Sequence, residues 1–271
     1  MNGRCAICDT IGKLTNDHVP PKSVSTPTRI EISRLIAVTQ TDDPTIRRRG
    51  GFQSAIFPSL CRTCNTERLG TKYDPTLKKI AEDVRRWVRV MKELDISVTG
   101  DIQVTTSPQR LARAVAGHLL AAEERKEPSH LPQRGTMTEA LRAFFLDEKA
   151  PWPDELHLYV WLFPDTRQVI VRGLHIMKVL GQTYGPIVGE LLKFFPLAFW
   201  ITSIPAVGVT YRLTELRLHK SPADLDAQIT LSIALRGMPP PRWPELPSDG
   251  GVVMLTGERT YVATPRENKT R

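Results

Sequence analysis

Four thiols and one imidazole carry the chemistry that is most legible in this sequence. Cys5-Ala6-Ile7-Cys8 and Cys61-Arg62-Thr63-Cys64 are two Cys-x-x-Cys loops, and they hold all four cysteines of the 271-residue chain. A loop of that spacing points both sulfurs at one point, and two such loops complete the tetrahedral sulfur set that Zn²⁺ favours. Disulfides and a thioredoxin-like redox pair are the alternatives. No apolar signal segment precedes Cys5, so a reducing cytoplasm is expected, where disulfides are rare. A redox pair would leave the second loop unexplained, and a zinc deaminase would need a His-x-Glu step where this chain has His18-Val19-Pro20. Between the loops stands Asp17-His18-Val19-Pro20-Pro21, and Asn65 follows the second loop at once. Imidazole exchanges a proton near neutral pH, while a carboxylate and an amide oxygen are hard donors suited to Mg²⁺ or Mn²⁺.

These side chains need elements to hold them. Gly12-Lys13-Leu14-Thr15 leads into a short strand that must stop at Pro20-Pro21, because proline lacks the ladder donor, so His18 is placed at a strand end. Residues 22–51 are rich in Ser, Thr, Pro and Arg, include Arg47-Arg48-Arg49 before Gly50-Gly51, and are predicted to form a long functional loop. Residues 52–60 read as the next strand, after which the second cysteine loop opens a helix with Asn65 on its first turn. Asp74 before Pro75 has the pattern of an N-cap for a helix over residues 75–94. Leu77, Ile80, Val84, Trp87, Val88, Met91 and Leu94 line one side of that helix, with Arg85, Arg86, Arg89 and Lys92 covering much of the other.

Taken together, Cys5-Ala-Ile-Cys8, Leu14-Thr-Asn-Asp17-His18-Val-Pro-Pro21-Lys22 and Leu60-Cys61-Arg-Thr-Cys64-Asn65, continuing to Tyr73-Asp74, resemble the HNH endonucleases of the ββα-metal fold. The likeness is to the subgroup in which four cysteines hold a structural zinc. It covers roughly the first third of the chain and has the character of an HNN variant, with Asn65 where many members have His. It implies that His18 is the general base, that Asp17 and Asn65 bind the catalytic divalent ion, and that a DNA phosphodiester is hydrolysed to a 5′ phosphate and a 3′ hydroxyl. Lys22, Arg62 and Arg68 are the candidate phosphate contacts. The middle Asn of the family has no counterpart, since residues 52–60 offer only Gln53, Ser54 and Ser59. The resemblance also suggests a bacterial or phage defence setting, in which a partner or ligand restrains the nuclease.

Charge points the same way. The chain carries a net +8; residues 1–95 hold 17 Lys+Arg against 11 Asp+Glu, and the remainder 20 against 18. Most of the excess therefore lies beside the cysteine loops, where it would attract a polyanion such as DNA, with RNA not excluded. Beyond residue 95 the pattern predicts helices over 107–124 and 136–146, the second opened by a Thr136-x-x-Glu139 capping box. Strands are predicted over 156–163, 168–176, 197–204, 209–218, 229–235 and 252–262, with residues 264–271 frayed. Residues 187–204 are very apolar but are interrupted by Glu190, Lys193 and Pro196, which fits buried core and not a membrane span.

The expectation is an α+β protein of two domains: residues 1–95 as a zinc-stabilised HNH module, and residues 96–271 as a mainly antiparallel α+β domain that docks a partner or a regulatory ligand. The alternative is a non-catalytic zinc module that binds nucleic acid as a subunit of a larger complex.

Overall fold

In the computed structural model the chain is mixed α+β, described over residues 2–25, 29–34, 49–93, 100–123, 127–129, 134–177, 186–221, 223–245, 252–255 and 260–265. Its first part runs β1 (Asn2–Arg4), β2 (Ile11–Val19), β3 (Arg29–Arg34), β4 (Arg49–Phe52) and β5 (Ala55–Cys61). A π-type helix over Thr63–Tyr73 then continues without a break into α1 (Asp74–Glu93). β6 (Ile102–Thr106), α2 (Pro108–Ala121) and α3 (Thr136–Leu146) follow. The remainder is β7 (His157–Leu162), β8 (Gln168–Met177), β9 (Ile187–Phe194), β10 (Leu197–Thr202), β11 (Thr214–Glu215), β12 (Ile229–Ile233), β13 (Val252–Leu255) and β14 (Thr260–Pro265).

Every described strand pairing is antiparallel. A small sheet has the order β1-β2-β5, a large one runs β11-β7-β10-β9-β8-β14-β3-β4 with β13 also on β8, and β12 pairs with β6. The long apolar stretch is thus two adjacent strands, β9 and β10, at the centre of the large sheet. It shows no polar alternation because both faces are covered. Phe199 and Ile201 pack into the core shared with the helices, while Trp200 faces the other way with Trp161 and Trp243. Gly189, at φ +135, is required here, since a Cβ would lie 2.0 Å from Ile201 O.

Several local expectations change. The predicted loop over residues 22–51 contains β3 and β4, which pair with each other and join the large sheet through β14. Its polar composition is that of an outer hairpin, not of an unstructured loop. Arg47 and Arg48 lie outside the described residues, as do residues 266–271 of the expected frayed end. The strand predicted over 209–218 shrinks to Thr214–Glu215, because Arg212 donates its backbone N–H to Gly237 O at 2.7 Å and the Tyr211 ring turns onto Trp243. The run 252–262 is two strands, β13 and β14. Ser107 caps α2 as its pattern suggests, accepting from Arg110 N at 3.2 Å. The capping box at Thr136 does not form: Gly135 occupies the cap position without a side-chain bond, and Glu139 is drawn instead to Arg142 at 2.6 Å. Asp74 is not an N-cap either, being helical itself at φ −57, ψ −33.

The buried core crosses residue 95. One continuous cluster contains Leu60, Leu69 and Tyr73 from the first segment and Leu111, Val115 and Phe145 from the second. α2 is buried along nearly its whole length, as expected of a helix enclosed on all sides. Its Gly117 allows the closest approach, since a Cβ there would meet Phe145 at 2.6 Å and Leu69 at 2.7 Å. Behind α2, Arg172 is buried against Glu190 at 2.6 Å and Glu123 at 3.1 Å. Arg172→Met would strand two buried carboxylates, and a loss of about 3–5 kcal/mol is expected in urea denaturation.

Candidate metal and catalytic site

Two turns bring the four sulfurs together. The first follows β1, closed by Cys5 N–H to Thr10 O at 3.0 Å and Asp9 N–H to Cys5 O at 3.1 Å, with Asp9 in the left-handed region at φ 62. The second spans the end of β5, which carries Cys61, and the helix start, which carries Cys64. Ala6 N–H donates to Ser59 O at 2.9 Å and ties the two turns to each other. All four Sγ atoms lie within 4.8 Å of one another, and Cys8 Sγ is 3.6 Å from Cys61 Sγ. A disulfide needs about 2.05 Å, whereas tetrahedral Zn–S bonds of about 2.3 Å give sulfur separations of about 3.8 Å. The cluster therefore fits a four-sulfur zinc site. Crowding drives the thiols apart in acidity: the Cys5 hydrogen bond pulls Cys8 far below its ordinary value, while Cys5 and then Cys8 push Cys64 far above. A cation removes that conflict, because thiolates are the ligands it binds.

α3 clamps the first turn. Arg142 donates to Ile7 O at 2.6 Å and pairs with Asp9, and Arg134 reaches Asp9 at 2.6 Å. Burial alone would raise the Asp9 carboxyl, but Arg134 and Arg142 hold it below its ordinary value.

β2 and β5 pair antiparallel with His18 opposite Ile56, and a register shift lies between Thr15 and Asp17. His18 is half-buried at the end of β2, its Nδ1 3.0 Å from the hydroxyl of buried Ser54. Burial first, and the Lys22 cation second, hold its imidazole below the ordinary value, against an opposing pull from Asp17. Asn65 sits on the first helical turn and spends its amide nitrogen on Thr15 Oγ1 at 2.9 Å and Asn16 O at 3.2 Å. Its Oδ1 is left as the donor that a hard cation would use. Asp17 is only 6% exposed and is turned toward the interior, where its Oδ2 lies 3.3 Å from His118 Nδ1 without hydrogen-bond geometry. The other nitrogen of His118 meets Asp74 Oδ1 at 2.9 Å. Fully buried between two carboxylates, His118 is raised to about 10: desolvation opposes its charge, but Asp74 and Asp17 outweigh it.

The three candidate phosphate contacts separate. Lys22 is exposed on the turn after β2, and Arg62 is exposed with only a loose 3.9 Å contact to Glu67. Arg68 is instead half-buried and donates to Leu146 O, the last carbonyl of α3, so it holds that helix end and is not presented to a ligand. Ser54 and His118 were not readable as site neighbours from sequence, although a lone histidine in the otherwise apolar face of α2 is a signal of a buried polar contact. No helix among the described residues is long and apolar enough to cross a membrane. Comparison with protein-family models, curated proteins and solved structures finds no match to this chain.

Proposed function

We propose that β2, β5 and the helix behind them form a metal-dependent HNH endonuclease site that hydrolyses phosphodiester bonds in DNA. The observation that carries the reading is the state of His18. Nδ1 meets the Ser54 hydroxyl at 3.0 Å; when Nδ1–H donates to that hydroxyl the lone pair falls on Nε2, which has no partner among the described residues. An imidazole whose pKa is held below its ordinary value by burial and Lys22 is mostly unprotonated at neutral pH and ready to accept a proton. In this reading Ser54 takes the place of the family's middle Asn, which this chain lacks.

In this reading Nε2 removes a proton from a water as its oxygen attacks phosphorus. The P–O3′ bond breaks with its electron pair on O3′, which takes a proton from solvent water, leaving a 5′ phosphate and a 3′ hydroxyl. Asn65 Oδ1 and the Asp17 carboxylate would hold the divalent ion, whose charge neutralises the crowded phosphate oxygens. Asp17 would do so through Oδ1, because Oδ2 is buried 3.3 Å from His118 Nδ1. Lys22, fully outside the core, steers the strand electrostatically. Zinc has no open position in a four-sulfur set and is structural.

Supercoiled plasmid, single-stranded DNA and RNA incubated with the full chain test the reading. Cleavage of DNA in Mg²⁺ or Mn²⁺ that stops in EDTA is expected; no cleavage of any substrate with either ion would refute it. The inward turn of Asp17 favours a second reading, a zinc-stabilised module that binds nucleic acid without cutting. That reading requires binding by the zinc-loaded chain that needs no added Mg²⁺ or Mn²⁺, falls steeply with salt and gives no turnover.

A further inference from the structure

His118 and Asp74, packed beneath Asp17, have no part in the steps just derived. His118 belongs to α2, far along the chain from the strand that carries His18, and it is 0% exposed. We propose that His118 is a positioning residue that turns the Asp17 carboxylate, fixing which oxygen faces the divalent ion; this rests on the nuclease reading above. Four observations support it. Asp17 lies at the register shift of β2, where the ladder holds the backbone less tightly and a side-chain anchor has most effect. Its Oδ2 has the ring nitrogen Nδ1 of His118 at 3.3 Å. Asp74 takes Nε2 at 2.9 Å and sets the ring orientation, the arrangement by which a second carboxylate commonly orients a group near a metal. Gly117, next in the chain, removes the Cβ that would hold α2 away from Leu69, on the helix that also carries Asn65, and from Phe145. The segment after residue 95 thus reaches the candidate site directly.

The two ring nitrogens have different partners, so two substitutions separate the roles. An asparagine amide can occupy the place of Nδ1 and keep a donor toward Asp17, whereas a glutamine amide reaches the place of Nε2 and serves Asp74. Mn²⁺ affinity of the zinc-loaded full chain is measured by calorimetry, together with the Mg²⁺ concentration for half-maximal cleavage and the limiting rate. His118→Asn is expected to stay within about threefold of the parent, and His118→Gln to lose about tenfold in metal affinity with a smaller change in limiting rate. Equal Mn²⁺ affinity in the two folded variants would overturn the assignment. If the glutamine variant does not fold, the comparison passes to His118→Asn and Asp17→Asn. Affinity kept in the first and lost about tenfold in the second is then expected, while a tenfold loss in both overturns it. A parent chain that takes up no Mn²⁺ beyond its zinc would remove the nuclease reading and this inference together.

Discussion

Cys61→Ala is expected to yield a chain that carries no zinc and does not reach the native fold. Zinc binding by structural sites of this kind is worth about 10–16 kcal/mol, comparable to or larger than the roughly 5–15 kcal/mol that separates folded from unfolded domains. The cost is global here because the cluster is not a detachable finger. Cys5 and Cys64 are buried in the same core as Leu69, Tyr73 and Phe145. α3 holds the first turn through Arg142 and Ile7 O, so disorder in that turn releases a helix of the second segment as well. Metal analysis should give one zinc per parent chain and none in the variant, and far-ultraviolet circular dichroism should show lost structure. An alanine variant with unchanged melting would show that the sulfur cluster does not hold the fold.

The parts of the site that were readable in advance are local in sequence. Two Cys-x-x-Cys loops announce their convergence by spacing, Pro20 and Pro21 end the strand behind His18, and Asn65 is placed on the helix by its distance from Cys64. What could not be read depends on pairings between distant segments. Nothing around Asp17 indicates that a histidine on α2 will face it, nor around Arg68 that the end of α3 will need its guanidinium. β3 and β4 read as loop because an outer hairpin carries little apolar pattern, and the pairing of β3 with β14 joins opposite ends of the chain. The expected boundary at residue 95 followed composition and charge, whereas the helices on either side of it share one buried core. His157 is held by Glu215 at 2.8 Å within the second segment.

His18→Ala is expected to slow cleavage by about 10²–10⁴-fold, the range that a positioned general base contributes. Its effect on folding should be small, since the ring is half-exposed and makes its one described hydrogen bond to Ser54. That contrast separates it from Cys61→Ala, where activity and structure fail together. The most direct measurement is therefore single-turnover nicking of supercoiled DNA by the zinc-loaded parent and the His18→Ala chain, at one Mg²⁺ concentration and with matched melting temperatures. The expected result is Mg²⁺-dependent nicking by the parent and at least about a hundredfold slower nicking by the variant. A folded His18→Ala chain that nicks DNA as fast as the parent would contradict the account.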